Sequence, residues 1–346
     1  MSVQGQIEAL QAPLGAAPEA VPAADASTRL YVRELAEGQE VAMAFAVRER
    51  ERRSRRNGDD FVRLVVADRT GTVEAVAWEE VDECFGCSAP GCVVFIEGSF
   101  SIHARYGAKI TIRRIREASP DEYSHEQLAE GPPVSPETLE AGLRELLETI
   151  QNPQLSRLLE RIFGAQSEVW QRFRVAPAAK YYHQAYPFGL LDHTVSVAQA
   201  VSAAAAAFPG IDRDVAVTGA LLHDIGKTQA YNDDPLAIDL TDAGRLQGEI
   251  PLGYYLVRRT IESIQGFDPE LTQAVLHIVL SHHGKLENGS PVMPATREAT
   301  LVHAMDNLGG TLGSFDRIER ELPDGQTWSR FDRGIDSAAY FRSRAA

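Results

Sequence analysis

The stretch Val217-Thr218-Gly219-Ala220-Leu221-Leu222-His223-Asp224-Ile225-Gly226-Lys227 decides how the second half of this chain is read. Its first six residues form the apolar run of a helix. A histidine, an aspartate and a lysine follow almost at once, and burying such groups is costly unless a charge compensates them. A cation does so. Neutral imidazole with carboxylate is a mixed N/O donor set suited to Mn²⁺, Fe²⁺, Ni²⁺ or Zn²⁺, with Mg²⁺ where carboxylate and water dominate. Gly226 is expected to end the helix, and Lys227 to point back at whatever occupies the site.

Working outward, everything from residue 136 to about 325 reads as helix. Ser135-Pro136-Glu137 starts one with proline in its first turn. Leu139, Leu143, Leu146, Leu147 and Ile150 then recur at helical spacing. The same pattern predicts helices over 153–163, 167–174, 190–207, 212–224, 249–265, 268–281 and 296–320. Seven of the nine histidines fall in this half, most of them beside acids at helix ends: His193, His223-Asp224, His282-His283, and His303 with Asp306. A lone histidine on an apolar helix is usually structural, so the clustering carries the signal rather than any one residue.

Before this lies a different texture. Residues 1–27 are rich in Ala, Pro and Gln and read as a flexible tail. From 28 to 118 the apolar pattern shifts to a period of two, over Val41–Arg50, Phe61–Ala67, Thr72–Trp78, Val93–Ile102 and Lys109–Ile115. Five short strands with an insert after the third describe a small barrel, for which the OB-fold is the candidate. Residues 119–135 have the Pro/Gly composition of a linker, and 326–346 form a C-terminal extension. Cys84, Cys87 and Cys92 in the insert read as small buried residues rather than a zinc set, because their spacing matches no common knuckle.

The net charge of −15 is unevenly spread. Residues 28–118 hold 15 basic and 15 acidic residues, whereas 119–346 hold 19 and 31. The barrel is therefore the part suited to a polyanion, and Arg52, Arg53, Arg55 and Arg56 are its candidate phosphate contacts. Trp78 and Tyr106, near strand ends, are candidate base-stacking surfaces. No apolar run is long enough for a membrane span. Three cysteines make no disulfide framework, and the start of the chain lacks a secretory pattern, which together point to a reducing cytoplasm.

The order His193, His223-Asp224, Asp306 resembles the HD superfamily of metal-dependent phosphohydrolases. Tyr181-Tyr182-His183, Gly189-Leu190-Leu191-Asp192-His193-Thr194, Ser281-His282-His283-Gly284, Gly289-Ser290-Pro291 and His303-Ala304-Met305-Asp306-Asn307-Leu308 narrow the likeness. Together they resemble the YhaM-type 3′-5′ exoribonucleases, which join an OB-fold to an HD domain. The resemblance implies hydrolysis of single-stranded RNA, with DNA as a further substrate. It implies a divalent metal, Mn²⁺ first, held by His193, His223, Asp224 and Asp306. Lys227 would neutralise the scissile phosphate, His183 would touch phosphate at the rim, and His282 and His283 would face a second metal. HD relatives with accessory domains commonly assemble, which implies a homo-oligomer.

Two positions depart from that family. Leu252-Gly253 is followed by Tyr254 where the family carries a histidine, and Gln184 follows His183 where a second histidine is common. Tyr254 leaves the second metal position short of a ligand. Two alternatives follow: hydrolysis of free nucleotides or cyclic dinucleotides, and a nucleic-acid-binding protein with weakened catalysis. The segment after His282-His283 lacks the Gly-Tyr-Pro triplet of the cyclic-di-GMP branch, which counts against that version.

Overall fold

Strand β1 (Glu40–Ser54) is long enough to serve two neighbours, and that shapes the first half of the protein. In the computed structural model, which describes residues 30–55, 57–103, 107–129, 131–180, 184–322 and 325–342, its first half pairs antiparallel with β4 (Val93–His103). Its second half pairs with β2 (Asp60–Asp68), the register shifting between Val47 and Glu49 so that the strand bends across the barrel. Strand β3 (Gly71–Ala77) follows β2, and helix α1 (Val81–Cys87) plugs the connection to β4. Strand β5 (Gly107–Glu117) pairs antiparallel with β4 and parallel with β3, closing the order β1-β2-β3-β5-β4. A closed five-stranded barrel with a helix between its third and fourth strands is OB-like. Phe45, Leu64, Ile96 and Ile110 fill its interior, and Cys84 of α1 is buried among them.

The segment 119–135 is not loose. It carries helix α2 (His125–Leu128), whose Leu128 is fully buried with Ala46 of the barrel and Leu236 of the helical half. The predicted tail 1–27 lies outside the described residues.

The second half opens with α3 (Pro136–Glu148), α4 (Pro153–Phe163) and α5 (Glu168–Phe173). Ser135, Asn152 and Ser167 cap them through side-chain oxygens. Next come α6 (Gly189–Ala205), α7 (Arg213–Leu222), α8 (Lys227–Ala230), α9 (Asp242–Gln247) and α10 (Glu249–Glu262). Then follow α11 (Pro269–Ser281) and the 25-residue α12 (Arg297–Glu321). Helix α7 lies at the centre, packed against α6, α11 and α12, and is buried from Val215 to Leu222. No helix among the described residues is long and apolar enough to cross a membrane.

Two features differ from the sequence reading. Gly226 does not end the helix: α7 stops at Leu222, and Gly226, with a φ of −65°, lies on the right-handed turn that leads straight into α8. A side chain there would strike the backbone of Glu249 and Gly253, so glycine is required for close approach of α10 rather than for a cap. And the C-terminal extension is structured: β6 (Trp328–Asp332) and β7 (Ser337–Tyr340) form an antiparallel hairpin.

Gly226→Ala should therefore lower stability by about 1–3 kcal/mol, the usual cost of forcing atoms into a packed contact. Thermal or urea unfolding measures it; an unchanged midpoint would show that α10 can retreat freely.

Candidate metal centre

Four helices meet at one point. His193 comes from α6, His223 and Asp224 from the turn after α7, His282 and His283 from the end of α11, and Asp306 from α12. The core packing of α7 against those helices is what brings them together. His193, His223, Asp224 and His282 are all essentially inaccessible to solvent.

The imidazoles are aimed. His223 Nδ1 lies 2.7 Å from the carbonyl of Ala220, and His282 Nδ1 lies 2.8 Å from that of Val279. His283 Nδ1 is 2.9 Å from the carbonyl of Asn288. A carbonyl can only accept, so each Nδ1 carries a hydrogen and each Nε2 is left as the ring atom able to bind a cation. His303, which stacks across Gly284, is held in the same way by the carbonyl of His282 at 2.7 Å.

Around the first position, His193 Nε2 lies 3.3 Å from His223 Nε2 and 3.0 Å from Asp306 Oδ1. Asp224 Oδ2 is 3.3 Å from His223 Nε2 and 3.6 Å from His193 Nε2, and Asp306 Oδ1 is 3.6 Å from His223 Nε2. Ligand bonds of about 2.1 Å give ligand-to-ligand edges of about 3.0–3.4 Å in octahedral or tetrahedral sites. The donor set thus has the spacing, burial and chemistry of a cation site. His193, His223 and Asp224 could hold an ion, as could Asp224, His282 and His283. Asp224 serves both: its Oδ1 is 3.5 Å from His282 Nε2, and neither of these buried atoms has a hydrogen-bond partner among the described residues.

The electrostatics agree. Burial would push His223 down, yet Asp224 and Asp306 raise its pKa to about 10, so a proton stands in where a cation would sit. Burial likewise opposes ionisation of Asp224, but Lys227 and His223 hold its carboxyl well below the usual range. Asp306 is lowered against its burial by His193 and His223. Lys227, the first residue of α8, is buried with its Nζ 2.6 Å from Asp224 Oδ2; against the effect of burial, that carboxylate raises its pKa. Burial and the neighbouring His282 lower His283, which favours the neutral ligand form.

Tyr254 is not at this centre; it packs on the helical core. The side chain that α10 does bring is Glu249, whose Oε1 lies 3.9 Å from His283 Nε2. Sequence reasoning missed it, because an acid in the first turn of a helix reads equally well as a partner for the helix dipole. An open pocket of about 650 Å³ adjoins the centre, lined by Lys227, His283, His303, Asp306 and Asn307 and also by Arg333 and Gly334.

On the barrel, Trp78 is 37% exposed and lies 4.8 Å from the Phe61 ring, with the Arg55 guanidinium 4.1 Å above it and Lys109 5.8 Å away. Arg52 is engaged by Asp82, with Asp60 at 3.9 Å, and Arg53 pairs with Glu51. The arginine run is thus partly neutralised by its own barrel. Arg56, Tyr106 and His183 lie outside the described residues.

Residues 190–310 match the family model of the HD domain. The chain is 31% identical to the 3′-5′ exoribonuclease YhaM of Geobacillus sp. (strain WCH70) over 276 residues, covering 79% of this chain and 83% of that relative. It is 30% identical to the 3′-5′ exoribonuclease YhaM of Bacillus subtilis (strain 168) over 273 residues, 78% of this chain and 85% of the relative. The second OB-fold domain of replication protein A from Methanococcus maripaludis aligns with 26% of this chain and 94% of its own at 18% identity, with a TM-score of 0.22, too low to carry weight. The likeness runs along most of this chain and most of these relatives: the chain belongs to the YhaM family of 3′-5′ exoribonucleases and is a hydrolase of phosphodiesters.

Proposed function

We propose that this protein is a metal-dependent 3′-5′ exonuclease of single-stranded RNA. In this reading His193, His223, Asp224 and Asp306 hold the principal ion, and the barrel grips the strand. The observation that carries it is the convergence of four buried donor atoms at 3.0–3.6 Å beside an open pocket. Among divalent ions, Mn²⁺ suits a set of two imidazoles and two carboxylates. When bound, it supplies Lewis acidity to the phosphodiester.

The chain's own residues do the rest. Lys227 remains cationic because Asp224 keeps it so, and it lines the pocket, where it offsets negative charge on the phosphate. Asp224 is fixed between Lys227 and the imidazoles, so its two oxygens address two positions. Asp224, His282 and His283 surround the second position, which Glu249 completes in the role expected of a family histidine. Tyr254 plays no part in it.

Ion content of dialysed protein tests both assignments. Asp306→Asn should lose the tightly held ion and bring RNA hydrolysis below detection while the circular dichroism spectrum is retained; Asp224→Asn should lose both as well, with a lowered unfolding midpoint, because Lys227 is left buried without its counter-charge. Glu249→Ala should keep the first ion and weaken the second by about tenfold or more, the usual loss for a supporting group. Tyr254→Phe should match the parent. A Glu249→Ala protein with unchanged ion binding would remove that residue from the centre.

Strand binding rests on the barrel surface where Phe61, Trp78, Arg55 and Lys109 cluster. A stacked base contributes about 1–3 kcal/mol. Trp78→Ala should therefore weaken oligoribonucleotide binding about 5- to 160-fold, and Arg55→Ala should reduce the salt dependence by about one released ion. Equal affinity in both variants would move the strand off this face.

A further inference from the structure

The C-terminal hairpin lies beyond the stretch that matches the HD domain, yet its turn reaches the pocket beside the metal centre. That turn is pinned on both sides of one residue. Asp332 accepts from Arg317 of α12 at 2.8 Å, and both side chains are largely shielded. Against its burial, Arg317 holds the Asp332 carboxyl below its ordinary value. Gly334 sits so closely on α12 that a side chain would come within 2.7 Å of Ser314 Oγ. Phe341, just after β7, packs edge-on against Phe315 of the same helix at 6.3 Å.

Between the two pinned residues stands Arg333, which lines the pocket and is exposed. Among the described residues it makes no hydrogen bond or ion pair, unlike its neighbour Arg317. The turn, anchored at both flanks, holds this guanidinium at the pocket. The planar fork of arginine matches phosphate oxygens.

The helix sets the span between the metal end and the hairpin end of the pocket. Asp306, Gly310 and Ser314 follow one another at four-residue intervals on one face of α12, so Ser314 lies about 12 Å along the axis from Asp306. Asp306 marks the metal end and Ser314 the hairpin end. Between them Gly310 and Thr311 line the pocket with little bulk, leaving space for a sugar and base.

We propose that Arg333 binds the backbone phosphate adjoining the phosphodiester under attack, making the hairpin one wall of the substrate channel. The inference rests on the RNA-exonuclease reading given above. It makes Arg333 a substrate-binding residue that favours strands with at least two phosphodiesters.

The full-length enzyme loaded with Mn²⁺ is assayed on a ribodinucleotide, with one phosphodiester, and on a ribotrinucleotide, with two. In Arg333→Ala the KM for the trinucleotide should rise about tenfold with kcat changed far less, the loss expected for one hydrogen bond to a charged group. The dinucleotide should suffer much less, so the preference for the longer substrate collapses. Arg333→Lys should restore part of it, because charge is kept and the fork is lost. An unchanged length preference in Arg333→Ala, or an equal loss on both substrates, overturns the inference. A parent enzyme that holds its ion but cleaves neither length overturns the RNA reading instead.

Discussion

Asp224 is the group on which the rest of the structure depends. It is 2% exposed, ionised against its burial, and within 3.6 Å of His193, His223, His282 and Lys227. A carboxylate so placed is tolerated only if cationic charge surrounds it, and removing one partner of such a buried set is strongly destabilising. The helical domain is arranged to supply that charge. Helix α7 carries Asp224 to the centre, α6 and α11 bring imidazoles, α8 brings Lys227, and α12 brings the second carboxylate. The apolar core around α7 fixes α6, α7, α11 and α12 relative to one another, and α8 packs on α5, α9 and α10. Backbone carbonyls then fix the three rings of His223, His282 and His283 so that their Nε2 atoms converge.

The same constraint explains why close approach matters more here than helix capping. With no side chain at Gly226, the backbone at the start of α10 comes within contact of the turn that holds Asp224. That approach brings Glu249 beside His283. On the other side, the barrel is seated by the buried trio Ala46, Leu128 and Leu236, and Arg48 donates to the carbonyl of Pro235 at 3.2 Å. The barrel and the helical domain therefore share a packed boundary rather than only a tether.

Much of this was legible in the sequence because periodicity reports burial directly. The five strands and the long helices followed from alternation at two and at 3.6 residues, and the clustered His and Asp residues marked the centre. The unread parts have physical causes. Gly226 looked like a cap because a glycine after a helix is usually one, and nothing local reveals that another backbone lies against it. Tyr254 drew attention through its place after Leu252-Gly253, but helical geometry turns it to the core and gives the inward position to Glu249. The hairpin at Trp328–Tyr340 escaped because strands of five and four residues, rich in charge and alanine, carry too little alternation to stand out. Arg333 could not be found without it.

In the proposed function, a divalent ion in this donor set serves to shorten RNA strands from the 3′ end. A 5′-labelled oligoribonucleotide incubated with protein, with and without added Mn²⁺, tests it most directly. A ladder of progressively shorter labelled strands should form only with the ion and disappear when the 3′ end is blocked. An intact strand under conditions where the same preparation hydrolyses free nucleotides or a cyclic dinucleotide would contradict it.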